Sequence, residues 1–562
     1  MKSKQQTVLK EKFSIEIFYS LCLIIICILY ANGIIPTEFY SDDFIFMTKA
    51  QEKGSLIKNA FDTEPLASSY YRPILTLIWG ICYKLFGLWA PGYNIIELLL
   101  FIGIIIFYYK SVSLLTNYTI SFIASLFLLL HAAAPLLSFL ATISTISGFF
   151  FLWFTIYFII RNNVSSRNTN LFFAVCGTVL AVLSYETTYL PLLVILFYYA
   201  VLERPGKKFH SYVYGLLITF IFLMMIIGPS GVFRLREGHG NANILINFPI
   251  HFINIFYSGL PILAIPFLFS IVAYVRDMNI FKSFALYILS AVVLLVPAIL
   301  KIYGHQIPET YVSKHIDAYL IVFTICILIL IWRKYLYEFL INLVNNKALI
   351  WYVLFIFTFA PILSFYVRSP WYTNFPFSFI STALAVTYFI WSDKIRTVLL
   401  NEYNDFKSMK NVFSMKLICI IMIYSTLVLN SCMVVIDGLR EREHYMLKTE
   451  KENRKVRSAF LENLADYLIN NSKSNSLIVS KRNINFSDNY NFSHNSLFLF
   501  IYIRHKNNNF NIIFDPDAQI KDYNSDFISK LELLGLDSKI SFDPETEKYI
   551  MEKVGENPLT KY

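Results

Sequence analysis

The carboxylates best placed for chemistry stand at the ends of long apolar runs. Asp42 and Asp43 follow the first such run, and Glu186 lies between two later ones. Partial removal from water raises the pKa of a carboxyl group and can make it a general base. Adjacent residues face in different directions, so we expect one of Asp42 and Asp43 to be the base and the other to bind substrate hydroxyls or a divalent cation. Simple solvation is the alternative for Asp42 and Asp43. For Glu186 the alternative is a hydrogen-bonded turn residue or a salt-bridge partner.

Basic and aromatic residues in other loops offer a site for an anion. Arg72 follows Tyr71 at the end of the first loop, and Arg368 lies in the last short one. A planar guanidinium binds two phosphate oxygens at once. Lys301 and Arg234 are weaker choices for the same role. Alternatively, these side chains anchor helix ends at a membrane interface.

The sequence contains no recognised cofactor motif. It lacks a Walker loop, a dinucleotide glycine fingerprint, HExxH and GxSxG. Its 7 cysteines and 9 histidines show no metal-ligand spacing. His131, on an apolar face, is expected to be structural. We therefore predict no cofactor and no metal site, and leave a divalent cation beside Asp42 and Asp43 open.

The composition is that of a membrane protein. Hydrophobic residues make up 56% of the chain, aromatic residues 17% and charged residues only 15%, and the mean hydropathy is +0.54. Soluble domains carry about 25% charged residues, so this much apolar surface cannot be buried in water-solvated cores. The basic residues that give the net charge of +10 gather between apolar runs. This position indicates membrane orientation and not nucleic-acid binding.

A search for runs of about 20 apolar residues gives about thirteen candidate transmembrane helices. Their approximate spans are 14–36, 92–112, 119–138, 143–160, 170–184, 188–202, 211–228, 250–275, 281–300, 316–332, 349–366, 372–391 and 413–436. Lys and Arg are about twice as frequent in the loops on the N-terminal side as in the opposite loops. The N-terminus is therefore predicted to be cytoplasmic and the C-terminus outside.

Two stretches leave the number of membrane crossings open. Residues 170–202 as one helix would be about 50 Å long, against a hydrocarbon core of about 30 Å. Two short helices with Glu186 at their outer turn fit better. Residues 73–90 combine apolar residues with Trp and Lys, which predicts a helix lying at the outer interface.

The chain is thus predicted to have two parts. Residues 1–436 form an α-helical polytopic membrane module whose first outer loop is 37–91, and residues 437–562 form a small extracytoplasmic α/β domain. Short β-like runs at 476–480, 510–514 and 539–542 and helical stretches at 438–471, 496–504 and 526–534 support the second part. The plentiful Ile, Asn, Lys, Phe and Tyr are typical of an AT-rich bacterial genome, which would place the module in a bacterial cytoplasmic (inner) membrane.

Several motifs occur in an order that resembles the GT-C superfamily of polytopic membrane glycosyltransferases, in particular its protein O-mannosyltransferase-like branch. They are Ser41-Asp42-Asp43-Phe44, Tyr70-Tyr71-Arg72-Pro73, Pro91-Gly92-Tyr93-Asn94, Leu130-His131, Ser184-Tyr185-Glu186-Thr187 and Tyr366-Val367-Arg368. The resemblance covers roughly residues 14–436. Alanine after His131 and tyrosine before Glu186 depart from the pattern of these families.

The resemblance implies a polyprenyl-phosphate sugar donor, an acceptor hydroxyl on a cell-surface glycan, lipid or protein, and the lipid bilayer as the setting. The family's acidic residue in the first outer loop would map to Asp42 or Asp43. Such a donor already carries a good leaving group, so the protein must supply a base and positive charge near the phosphate. We expect an inverting displacement, with Arg72 and Arg368 near the departing phosphate and Glu186 and Tyr71 binding substrate.

Two other classes of function are the alternatives. A transporter or lipid flippase for glycan precursors would show inverted repeats and charges near the bilayer midplane, and the sequence shows neither. A noncatalytic assembly protein would use the C-terminal domain to recruit partners.

Overall fold

A computed structural model of the chain describes residues 2–32, 34, 56–61, 72–87, 89–137, 140–203, 208–226, 280–304, 348–363, 373–408 and 415–447. It also describes scattered positions between 263 and 341 and four strands in the C-terminal part.

The described helices follow the apolar runs of the sequence. They are α1 (Lys2–Ala31), α2 (Leu56–Ala60), α3 (Pro73–Phe86), α4 (Ala90–Leu115), α5 (Tyr118–Leu137), α6 (Ile143–Ser165), α7 (Asn168–Ser184), α8 (Tyr189–Phe197), α9 (Lys208–Ile226), α10 (Ile280–Gly304), α11 (Leu349–Leu363), α12 (Asn374–Ser408) and α13 (Met415–Leu447). Short 3₁₀ turns cover Leu140–Thr142 and Glu186–Thr188, and a π-helical turn covers Tyr198–Leu202.

Contacts between the first helices show how they run. Lys110 Nζ, near the end of α4, lies 3.6 Å from Glu16 Oε1, near the start of the apolar segment Ser14–Ala31 of α1, so α4 is antiparallel to α1. Two hydroxyl contacts, Tyr19 to Thr119 Oγ1 and Tyr30 to the Leu130 carbonyl, are each 3.4 Å long and make α5 parallel to α1. We call the end of the bundle at which α1 finishes the distal end.

The chain turns back at Glu186, as the sequence predicts. Asn162 and Asn168 lie at the opposite end of the bundle, and the His210 ring contacts both, at 3.1 and 3.4 Å. The chain therefore returns from the distal end between Glu186 and His210. The prediction of two short helices over 170–202 is confirmed.

Large aromatic residues fill the centre of the bundle. Trp153 of α6 stacks on Trp351 of α11 with ring centroids 6.4 Å apart, and Phe379 of α12 lies 5.6 Å from Trp153. All three side chains are buried. Apolar residues also cover the outside, with Leu216 70% and Leu29 62% exposed. Apolar side chains on both the inside and the outside are expected for helices that contact lipid.

Five described helical segments are long and apolar enough to cross a membrane: Ser14–Ala31, Ala90–Leu115, Ile143–Ser165, Lys208–Met225 and Asn374–Ser392. Six further apolar helices have 10–17 residues. By length and composition the chain is a helical membrane protein. The total of about thirteen crossings stays a prediction, because long stretches such as 227–262 lie outside the described residues.

Two helices extend beyond their predicted ends. α10 continues through Lys301 to Gly304, although a loop was predicted to begin at 301. α13 continues past 436 to Leu447, across the position at which the second domain was predicted to begin. Helix α3 covers most of the predicted interfacial helix 73–90; it buries Leu75, Trp79 and Cys82 and leaves Leu85 exposed.

The described part of the C-terminal region is a four-stranded sheet with strand order β2-β1-β3-β4. The strands are β1 (Ser476–Ser480), β2 (Asn511–Asp515), β3 (Leu536–Asp543) and β4 (Lys548–Lys553). β1 pairs in parallel with β2 and β3, and β3 pairs antiparallel with β4. The three predicted strands are present, β4 was not predicted, and the helical stretches predicted at 496–504 and 526–534 lie outside the described residues.

Candidate functional site

A buried ion pair joins two of the predicted site residues at the distal end. Arg72 directly precedes Pro73, the first residue of α3, and proline disfavours a helical conformation in the residue before it. Glu186 opens the turn after α7. The Arg72 Nε donates to Glu186 Oε2 at 2.9 Å, and its Nη2 donates to Glu186 Oε1.

This pair is largely shielded from solvent, with side-chain exposures of 14% and 9%. Two parallel N–H···O bonds to one carboxylate fix the orientation of the guanidinium plane. Glu186 binds the edge of the Arg72 guanidinium that is formed by Nε and Nη2. A phosphate bound to Arg72 would therefore have to approach the other edge of the guanidinium.

Tyr185 supports the ion pair from one side. The Arg72 guanidinium carbon lies 4.5 Å from the centre of the Tyr185 ring, within the range of cation–π attraction. The ring also stacks on Phe375 of α12, with centroids 6.0 Å apart. Gly148 of α6 permits this placement, because a Cβ added there would lie 2.5 Å from Tyr185 Cβ.

A polar contact between His131 and Thr373 lies at the start of α12, next to Phe375. His131 Nε2 of α5 lies 3.1 Å from Thr373 Oγ1, and its ring stacks on Phe377 with centroids 4.0 Å apart. Asn374, the first residue of α12, is fully buried. His131 thus has a packed and hydrogen-bonded environment, in agreement with the structural role expected from the sequence.

Sequence reasoning missed one buried carboxylate, Glu97 of α4. Its exposure is 0%, and Thr142 Oγ1 donates to its Oε1 at 3.1 Å. The signal was present in the sequence, because Glu97 interrupts an apolar run, and an ionisable residue inside a membrane segment is a functional hypothesis by default.

An arginine late in α13 holds the end of α1 at the same end of the bundle. The Arg442 guanidinium donates to the carbonyls of Tyr30, Leu29 and Asn32 at 2.9, 3.0 and 3.0 Å. The final carbonyls of a helix lack intrahelical partners and carry partial negative charge. Arg442 therefore caps α1 just before the segment that contains Asp42 and Asp43. Sequence reasoning did not predict this contact.

The predicted site residues are therefore only partly placed. Arg72 and Glu186 are brought together, and the backbone of Lys301 lies in α10. The others lie outside the described residues: Asp42, Asp43, Tyr71, Arg234 and Arg368. Among the residues that the structure describes, no group of three or more His, Cys, Asp or Glu side chains could hold a metal ion.

Comparison with known proteins returns structural similarity only. No protein-family model and no curated protein sequence matches the chain. The crystal structure of the Archaeoglobus fulgidus oligosaccharyltransferase in the apo form matches with a TM-score of 0.45 and 11% identity, over 93% of this chain and 69% of that one. The same enzyme tethered to an acceptor peptide containing the NVT sequon matches with a TM-score of 0.44 and 10% identity, over the same shares. A likeness at this level does not show the family of the chain.

Proposed function

We propose that the protein is a membrane glycosyltransferase that moves a sugar from a polyprenyl-phosphate donor to an acceptor hydroxyl at the distal end. The acceptor is a cell-surface glycan, lipid or protein, and the membrane is the bacterial cytoplasmic membrane with the distal end outside. The GT-C resemblance of the sequence motifs suggests this class.

The observation that carries the proposal is the ion pair between Arg72 and Glu186. It joins the motif Tyr70-Tyr71-Arg72-Pro73 to the motif Ser184-Tyr185-Glu186-Thr187, 114 residues later. A largely buried, oriented guanidinium at a helix-bundle end suits the stabilisation of an anionic leaving group, because it needs no reorganisation as charge develops.

The proposed reaction is a single inverting displacement. Asp43 or Asp42 takes the proton of the acceptor hydroxyl, the hydroxyl oxygen bonds to the anomeric carbon, and the bond from that carbon to the phosphate oxygen breaks. The electron pair leaves with the polyprenyl phosphate. Arg72 and Arg368, with Lys301 or Arg234, stabilise that phosphate, while Glu186 orients Arg72 and Tyr71 contacts the substrate.

A transfer assay tests the proposal. The full chain in liposomes is given undecaprenyl-phosphate carrying radiolabelled mannose, glucose or arabinose, together with envelope extract as acceptor. We expect Asp42→Asn or Asp43→Asn to lower transfer at least about 100-fold, the lower range for loss of a general base. Glu16→Gln, at the opposite end of the bundle, is the control and should keep full activity.

The outcomes separate the classes of function. Equal, undiminished activity in both aspartate variants would contradict the assignment of the base. Lipid flipping without sugar transfer would favour the flippase, and retention of anomeric configuration in the product would contradict the single displacement.

A further inference from the structure

Asn374 has a buried side-chain amide that makes no hydrogen bond to the residues the structure describes. Its side chain is buried, and neither its Nδ2 nor its Oδ1 has a hydrogen-bond partner among the described residues. Burying an amide without a partner is costly, so such a group calls for an explanation.

The position of Asn374 adds a second reason to expect a ligand. It is the first residue of α12, a helix of 35 residues, and the first backbone N–H groups of a helix have no intrahelical acceptor. Its neighbour Phe375 stacks on Tyr185, which in turn contacts Arg72. Asn374 is thus adjacent in the chain to the aromatic contact that supports the ion pair.

The chemistry of the amide selects the kind of ligand. Phosphate oxygens at neutral pH mainly accept hydrogen bonds, so a phosphate would satisfy Nδ2 and leave Oδ1 facing negative charge. Hydroxyl groups both donate and accept, so two neighbouring sugar hydroxyls would satisfy both atoms of the carboxamide.

We propose that Asn374, at the start of α12, binds hydroxyl groups of the sugar carried by the lipid-phosphate donor. This inference rests on the proposed function and assigns its sugar subsite.

The test compares Asn374→Leu and Asn374→Asp with a matched control, Thr155→Val. Thr155 Oγ1 of α6 is also buried without a partner among the described residues, and the substitution removes an unused polar atom there too. Binding of undecaprenyl-phosphate mannose, glucose and arabinose, and of undecaprenyl phosphate alone, is measured on the purified full chain without acceptor. Thermal stability is measured without lipid.

We expect Asn374→Leu to bind the preferred sugar lipid at least about tenfold more weakly, to bind undecaprenyl phosphate as the wild type does, and to keep or raise its melting temperature. Asn374→Asp should lose less, because a carboxylate still accepts from hydroxyls. Thr155→Val should match the wild type in binding.

Other results would overturn the inference. A melting temperature that falls in both Asn374 variants without lipid would mean that protein groups satisfy the amide. An equal loss for undecaprenyl phosphate alone would make it a phosphate site, and unchanged sugar-lipid binding with weaker use of a glycan acceptor would make it an acceptor site. A wild-type protein that binds and transfers none of the lipids would overturn the proposed function, and this inference with it.

Discussion

At the residue scale, sequence patterns pointed to Arg72 and to Glu186 as site residues but did not predict that the two side chains contact each other. Each residue stood out by itself, Arg72 as a phosphate ligand and Glu186 as a deep carboxylate. Their separation of 114 residues gave no sign that they would meet. The contact agrees with the alternative expectation for Glu186, a salt-bridge partner, and supports the proposal that this carboxylate positions Arg72.

A double-mutant cycle measures this pairing. Arg72→Gln and Glu186→Gln should each lower the free energy of unfolding by about 3 kcal/mol, because each leaves a buried charge without its partner. The double variant should lose clearly less than the sum. Denaturant titration in mixed micelles measures the stabilities, and the sugar-transfer assay measures activity in parallel.

Two further variants help to interpret the double-mutant cycle. Lys110→Gln, which breaks the partly exposed pair with Glu16 at the other end, should change stability by less than about 1 kcal/mol. Arg72→Lys keeps the charge but not the planar fork, so we expect it to preserve more stability than activity. Strictly additive losses for Arg72→Gln and Glu186→Gln would mean that the pair is not coupled.

At the element scale, the position of Tyr185 depends on the close approach of α6 to the turn after α7. A side chain at position 148 would bring two Cβ atoms to 2.5 Å, and neither atom can rotate away. Helix and turn would have to move apart, which would shift Tyr185 away from Arg72.

Gly148→Ala should therefore destabilise the protein by about 1–3 kcal/mol, the usual cost of overpacking, and reduce sugar transfer. Gly215→Ala in α9 is the control: a Cβ there meets nothing within 4 Å, so the better helix propensity of alanine should leave stability equal or up to about 1 kcal/mol higher. Activity unaffected by Gly148→Ala would separate Tyr185 from function.

Helix positions were predictable where length and apolarity decide them, and less so where other forces act. The runs that became α4 and α6 are long enough to cross a membrane, and the break at Glu186 followed from the length limit. Residues 438–447 were predicted to be helical, but their continuity with the helix over 413–436 was missed because composition changes at 437. Residues such as Leu439, Arg440 and Glu441 are still good helix formers. β4 was missed because three of its six residues, Lys548, Glu552 and Lys553, are of types depleted in strands.

At the scale of the whole molecule, polar contacts from distant parts of the chain meet at the distal end. Arg442 reaches the end of α1, Glu186 reaches Arg72, and the start of α12 reaches His131. The sequence predicted that charged groups would gather on one face, because alternate loops return to the same side. Which helices are neighbours within the bundle depends on side-chain packing, and no loop pattern encodes it.

A labelling experiment can test the proposal that the distal end lies outside the cell. Glu443 is exposed near the end of α13, about 10 Å along the helix beyond Ile436. Thr169 is exposed at the start of α7, at the opposite end of the bundle. In a background in which the 7 native cysteines are replaced, we expect a membrane-impermeant maleimide to label Glu443→Cys in intact cells. Thr169→Cys should react only after permeabilisation, because the basic loops predict a cytoplasmic position for that end. The reverse pattern would place the proposed catalytic end inside the cell, where the donor and acceptor would have to be sought instead.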